Sequence, residues 1–215
     1  MAVNWHRSCL EAALGMILGA NIVAEPAHAH PHVWVVAKTE LVLDANNAVT
    51  AVRHHWRFDD TFSSYAVQGF GKNGKLPVRE DLAGLAKTNV ESLAEYQFFT
   101  GVKVNGAKLE LGSPVDYWLD YVDGSLTLNF TLPATKPSLP PKVIGLEVYD
   151  PSYLVEFTFA ETAPAVALTG GGRGCAVQIH RPNKPETDPN RLTEDYFANL
   201  NRGKDFASSA IVACP

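Results

Sequence analysis

The chain has 215 residues, 46% of them hydrophobic and 19% charged, with a formal net charge of −5 at pH 7. That length supports one full hydrophobic core or two small ones. The charge balance lacks the basic excess with which nucleic-acid binders neutralise phosphates, so nucleic acid is excluded as a partner.

The first residues read as a secretory signal. Arg7 is the basic element, Ala12 to Ala24 is an apolar run broken by Asn21, and Ala27-His28-Ala29 has the small-x-small form of a cleavage site. The run is too short to span a bilayer, and no later stretch approaches about 18 consecutive apolar residues, so no membrane anchor is expected after cleavage. The sequence thus predicts a signal peptide over residues 1–29 and a single exported, periplasmic domain over 30–215. Cleavage after Ala29 makes His30 the first residue and gives a new terminus His30-Pro31-His32. Cys9 would leave with the signal. Cys175 and Cys214 remain, an even number in an oxidising compartment, which predicts a disulfide between them.

VWVVAKTELVL and VTAVRHHWRF flank the Asn-rich LDANNAV and predict a β-hairpin. If Asp44 pairs with Val49, then Leu41 faces Val52, Ala37 faces Trp56 and Val35 faces Phe58 on an apolar face that also carries Thr39 and His54. The other face pairs Lys38 with His55 and Glu40 with Arg53, a solvated pattern. The same parity puts His30, His32, Trp34 and Asp59 on that second face, with His32 and Asp59 as diagonal neighbours. His54 is then a core histidine and His55 a surface residue.

DDTFSSYAVQGF can open a helix with Asp60 or Thr61 as its N-cap. Residues 79–96 carry a partial helical stripe of Leu82, Leu85, Val90 and Leu93. Together they predict a helical insertion at about residues 60–96. Between them GFGKNGKLPVRE has the shape of an EF-hand loop with Glu80 at the last position. Gly69 and Gly71 stand where carboxylates belong, so a structural turn without calcium is expected. Asn105-Gly106 and Asp123-Gly124 predict two further hairpins. KPSLPPK is a proline-rich connection, YDPSY at 149–153 is a polar turn, and GGGRG at 170–174 lacks the strand-to-helix signature of a phosphate loop. LTEDYFANL predicts a short C-terminal helix and SSAIVAC a terminal strand. The fold class expected is α+β: a β-rich sandwich-like body with an inserted helical pair and a short C-terminal helix.

Chemistry concentrates at the new terminus. A free α-amine and an imidazole on His30 can chelate one metal, and His32 adds a second imidazole. Imidazole suits zinc, copper and nickel, and Asp59 can complete the shell. Pro31 removes a backbone N–H, so a square-planar site built on deprotonated amides is ruled out. The bland alternative is that His-Pro-His only eases cleavage. Asp150 reads as a turn residue, and as a further carboxylate if the strands converge. No GxSxG, no HExxH and no nucleophile–base pairing stands out, so an enzyme is not expected.

HPHVWV at 30–35, WRFDDTFSS at 56–64, GKNGKL before the helix, YDPSYLVEF at 149–157 and the late Cys175 together resemble a bacterial exported family known as domain of unknown function number 1007. The resemblance covers nearly the whole of residues 30–215. It implies a periplasmic component linked to ABC-type transport of nickel, cobalt or zinc, and marks His30, His32, Asp59 and Asp150 as the polar residues of interest. Members often carry an acidic EF-hand-like loop where this chain has GFGKNGKL.

The expectation is therefore an exported protein that binds a divalent transition metal (zinc, nickel, cobalt or copper) beside an inner-membrane transporter or permease. The competing expectation is a metal-free interaction module that docks on a transporter or envelope partner.

Overall fold

The computed structural model describes residues 32–71, 74–182, 204 and 206–215. His30 and the expected C-terminal helix lie outside the described residues, as do Lys72 and Asn73 of the EF-hand-like loop. β1 (Val33–Leu43) and β2 (Val49–Phe58) form the expected hairpin. Val35 pairs with Phe58, Ala37 with Trp56, Lys38 with His55, Glu40 with Arg53 and Leu41 with Val52. The apolar face is buried throughout, and burial fixes the register because a one-residue slip would expose all of it. The turn end differs from expectation: Val49 pairs with Leu43, not Asp44. Asp44 instead folds the turn on itself, its Oδ1 accepting from the N–H groups of Asn46 (2.8 Å) and Ala48 (2.9 Å). The register therefore slips between Val42 and Leu43.

Helix α1 (Asp60–Ala66) follows, and α2 (Ala83–Leu93) packs against a later strand, β5 (Val115–Val122). Leu82, Ala86 and Val90 are buried, while Leu85 and Leu93 are half-buried. A 3-10 segment, Ala94–Phe99, ends the insertion. Its last three residues, Gln97, Phe98 and Phe99, have φ of 51°, 54° and 48°. This left-handed turn costs about 1–2 kcal/mol per residue. It swings Phe98 into the core and lays Phe99 on Phe157, ring centroids 5.4 Å apart.

The remaining strands are β3 (Thr100–Val104), β4 (Ala107–Lys108), β6 (Ser125–Pro133), β7 (Val143–Val148), β8 (Val155–Phe159), β9 (Val166–Thr169), β10 (Ala176–His180) and β11 (Ser208–Ala213). The Asn105-Gly106 and Asp123-Gly124 turns have positive φ at both residues, the conformation that matches hairpin twist. Among the described residues one sheet runs β5-β6-β2-β1-β8, with β9 pairing β1 beyond β8; the other runs β10-β11-β7-β3-β4. β8 and β9 lie parallel to β1. The fold is thus β-rich with a helical insertion, as expected.

Both sheets feed one core. Trp56, Phe130 and Phe157 pack edge to face with centroids 4.7–4.8 Å apart, a geometry that adds about 0.5–1.5 kcal/mol per pair to area burial. His54 is fully buried, as expected, and joins the sheets: Nδ1 meets Thr39 Oγ1 and Nε2 meets Thr100 Oγ1, each at 3.1 Å. Gly170–Gly172 lies on the β1–β2 turn. A Cβ on Gly170 would stand 2.2 Å from the Leu43 carbonyl oxygen, and Gly172 N–H donates to Asn47 Oδ1 (2.8 Å). Close backbone approach accounts for these glycines. Cys175 and Cys214 form the expected disulfide. No helix among the described residues is long and apolar enough to cross a membrane.

Candidate functional site

Of the sequence-predicted site residues, His32, Asp59 and Asp150 are described, and they lie at one end of the larger sheet, around the start of β1. His32 is exposed, and its backbone N–H donates to Leu154 O (2.9 Å) just ahead of β8. Asp59 sits across from Trp34: Asp59 N–H donates to Trp34 O (2.9 Å), and Trp34 N–H donates to Asp59 Oδ2 (3.0 Å). Asp59 Oδ1 accepts from Phe62 N–H (2.8 Å). The helix N-cap is therefore Asp59, not the expected Asp60 or Thr61. With its backbone still in the strand ladder, Asp59 has the extended conformation that an N-cap needs.

Asp150, only 4% exposed, holds the YDPSY turn together. Its Oδ1 accepts from Ser152 N–H (2.8 Å) and Ser152 Oγ (2.7 Å), and its Oδ2 from Val155 N–H (3.0 Å). Both aspartates thus satisfy backbone donors that would otherwise go unpaired. Among the described residues no three His, Cys, Asp or Glu side chains gather closely enough to hold a metal ion. A shell of three or more such ligands would have to draw on residues outside the described ones.

The roles of Asp59 make a testable statement. Asp59→Ala removes a helix cap and the partner of Trp34 N–H together. Loss of a cap alone costs about 0.5–2 kcal/mol, so the metal-free protein should lose about 2 kcal/mol, read as a lower urea midpoint. An unchanged midpoint would remove the structural role.

A second polar arrangement crosses the outer face of the same sheet, and sequence reasoning missed it. Glu40 on β1 pairs with Arg53 (2.5 Å) and stands 3.6 Å from His55 Nε2, both on β2. His55 Nδ1 meets Asn129 Oδ1 on β6 at 2.6 Å. Asn129 Nδ2 donates to Asp120 Oδ2 (3.2 Å) and Thr127 O (3.2 Å). The amide donors are thereby engaged, so Oδ1 is an acceptor and His55 Nδ1 carries a proton. Asp120 on β5 also accepts from Trp118 Nε1 (2.7 Å) and from Arg79 Nε and Nη2 (3.0 and 2.7 Å). Arg79 in turn lies over the Trp118 ring, 4.9 Å from its centroid. His55 is therefore a half-buried member of a four-strand chain rather than a simple surface residue. The Glu40–Arg53 part was readable from the hairpin; the rest depends on β6 lying beside β2. Asn129 of the glycosylation-like Asn129-Phe130-Thr131 is itself buried here.

Two comparisons bear on identity. The chain is 31% identical over 103 residues to the uncharacterized 15.5 kDa protein of the trpE 3′ region of Spirochaeta aurantia, a match covering 47% of this chain and 73% of that protein. It is 24% identical over 215 residues to an uncharacterized protein of Haemophilus influenzae, covering 94% of this chain and 96% of that one. The model of the family described as protein of unknown function DUF1007 matches residues 15–214, and the chain belongs to that family.

Proposed function

We propose that the chain is an exported periplasmic component that binds one divalent transition metal, zinc, nickel, cobalt or copper, and works beside an inner-membrane metal transporter or permease. The observation that supports this most is the seat of His32. Its backbone is tied to Leu154 where β1 and β8 begin to pair, so a chain cleaved after Ala29 runs from its first two residues straight into the sheet at His32. The ligands in this reading are the His30 amine and imidazole and the His32 imidazole. Asp59 and Asp150 lie at the same end of the sheet. A carboxylate has about four lone-pair sites, so each can add an oxygen while still holding its backbone donors. A sandwich-like packing of the two sheets belongs to the same reading. It is supported by contacts between them, His54 to Thr100 and Ser208 Oγ to Phe157 O (3.0 Å).

One feature favours the second reading, a metal-free docking module. Trp34 and Val36, neighbours on the outer face of β1, are 47% and 39% exposed. Calorimetric titration of zinc and nickel into protein beginning at His30 separates the two. The metal reading expects His32→Ala to lower affinity by roughly a hundredfold, about 2.7 kcal/mol. His55→Ala should leave it unchanged. Equal binding by wild type and His32→Ala would favour the docking module.

A further inference from the structure

A cavity of about 290 Å³ opens between the outer edge of β8 and the chain entering β11. Val36, Phe159, Pro182 and Phe206 give it an apolar side, and Glu156, Glu161 and Arg181 bring three charges to it. The volume is at the small end for ligand pockets, enough for a metabolite the size of one amino acid.

The walls are held in place by specific bonds. Ser208 Oγ accepts from Phe159 N–H (3.3 Å) and donates to Phe157 O (3.0 Å), imitating the next strand at the β8 edge. Those edge groups are thereby satisfied, and the space beside them is not a slot for strand addition. Arg181 Nη2 donates to Ala160 O (2.7 Å), which fixes the guanidinium beside the cavity. Tyr153 O–H donates to Glu156 Oε2 (3.3 Å), and the Tyr153 ring packs on Phe206, centroids 4.7 Å apart. Burial, then the charge of Glu156, pushes the Tyr153 phenol up, so it stays a donor. Tyr153 has φ of 58°. A side chain in that region costs about 1–3 kcal/mol and persists only where its surroundings impose it. Here Asp150 imposes it: its carbonyl accepts from Tyr153 N–H (3.0 Å), and its carboxylate ties down Ser152 and Val155. The YDPSY turn therefore spends backbone strain on one wall of this cavity.

Two carboxylates against one guanidinium favour a ligand with an amine, and the guanidinium offers a second contact to an anionic group. We propose that this cavity binds a free α-amino acid with an apolar side chain. The ammonium group lies at Glu156 and Glu161, the carboxylate at Arg181, and the side chain against Val36 and Phe206. The proposal goes beyond the metal reading and stands or falls separately from it.

The test is calorimetry on the whole chain with three compounds that share an isobutyl side chain: L-leucine, 3-methylbutylamine, which lacks the carboxylate, and 4-methylpentanoate, which lacks the amine. L-leucine should bind tightest, the amine roughly tenfold more weakly and the acid not measurably. Arg181→Ala should bring leucine down to the affinity of the amine and leave the amine unchanged. Glu161→Gln should weaken both. Arg181 and Glu161 are exposed side chains, so both variants should fold. The proposal is overturned if leucine gives no binding heat at about 1 mM, a limit of about 4 kcal/mol. It is also overturned if the three compounds bind alike, or if both variants bind leucine as the wild type does.

Discussion

Acidification from pH 7 to pH 4.5 is expected to cost the fold about 2–3 kcal/mol through His54 alone. Burial first, and the neighbouring His55 second, lower the His54 pKa from 6.5 to about 3. The local bonding explains why the neutral ring is held. Thr100 Oγ1 donates to Phe98 O (2.7 Å), so it must accept from His54 Nε2–H. Nδ1 is then the acceptor, facing the Thr39 hydroxyl. A second proton would have to enter at Nδ1, in a site closed to water. The sign follows from the lowered value. Above about pH 6.5 both states are neutral and the contribution is whole. Below it the unfolded chain takes up a proton that the folded chain refuses, and stability falls by about 1.4 kcal/mol per pH unit until about pH 3. Urea unfolding between pH 4.5 and 7 measures this slope. His54→Gln should be less stable at pH 7, because Thr39 and Thr100 lose their partner, yet flatter with pH. An equally steep slope in the variant would assign the acid sensitivity to other groups.

Reduction of the Cys175–Cys214 bond should lower stability by about 3–4 kcal/mol, the loop-closure entropy expected for its span. The two cysteines are 39 residues apart, and the bond joins the start of β10 to the end of β11. Cys214 N–H donates to Lys142 O (2.8 Å), so the same residue ties the C-terminus to the β7 side. Among the described residues β10 has only β11 as a neighbour in its sheet. Fraying should therefore start there, seen as early hydrogen exchange at residues 176–180. The double variant Cys175→Ser, Cys214→Ser should match the reduced protein. A urea midpoint that reductant does not move would refute this account. Thiol labelling of unreduced, unfolded protein should find both cysteines blocked.

The hairpin register was legible because two faces with opposite chemistry agree on one pairing. Only the turn escaped, where Asp44 bonds locally and the loop is one residue longer than expected. The paired Asp59-Asp60 shows a limit of another kind. Either residue can cap a helix by type, and the choice fell to Asp59 because Trp34 holds it in the strand, a contact between residues 25 positions apart. The aspartates marked by the family resemblance lie toward the same end of the sheet, and both are engaged with backbone donors. His55 was misjudged because Asn129 and Asp120 reach it only once β6 and β5 extend the sheet. The left-handed turn at Gln97–Phe99 left no glycine or asparagine to announce it. Tyr153 likewise adopts a positive φ that its residue type does not favour. At Gln97–Phe99 long-range packing overrides local preference, and at Tyr153 the bonds of the Asp150 turn override it.

The central claim is that processing creates the metal ligands, and native mass spectrometry of the protein recovered from the cell that makes it tests this in one step. The account predicts a mass beginning at His30, two thiols fewer than the reduced chain, and one additional divalent transition metal that is lost on mild acidification. A chain that retains Met1, or one that starts at His30 and stays metal-free after exposure to zinc and nickel, would contradict it.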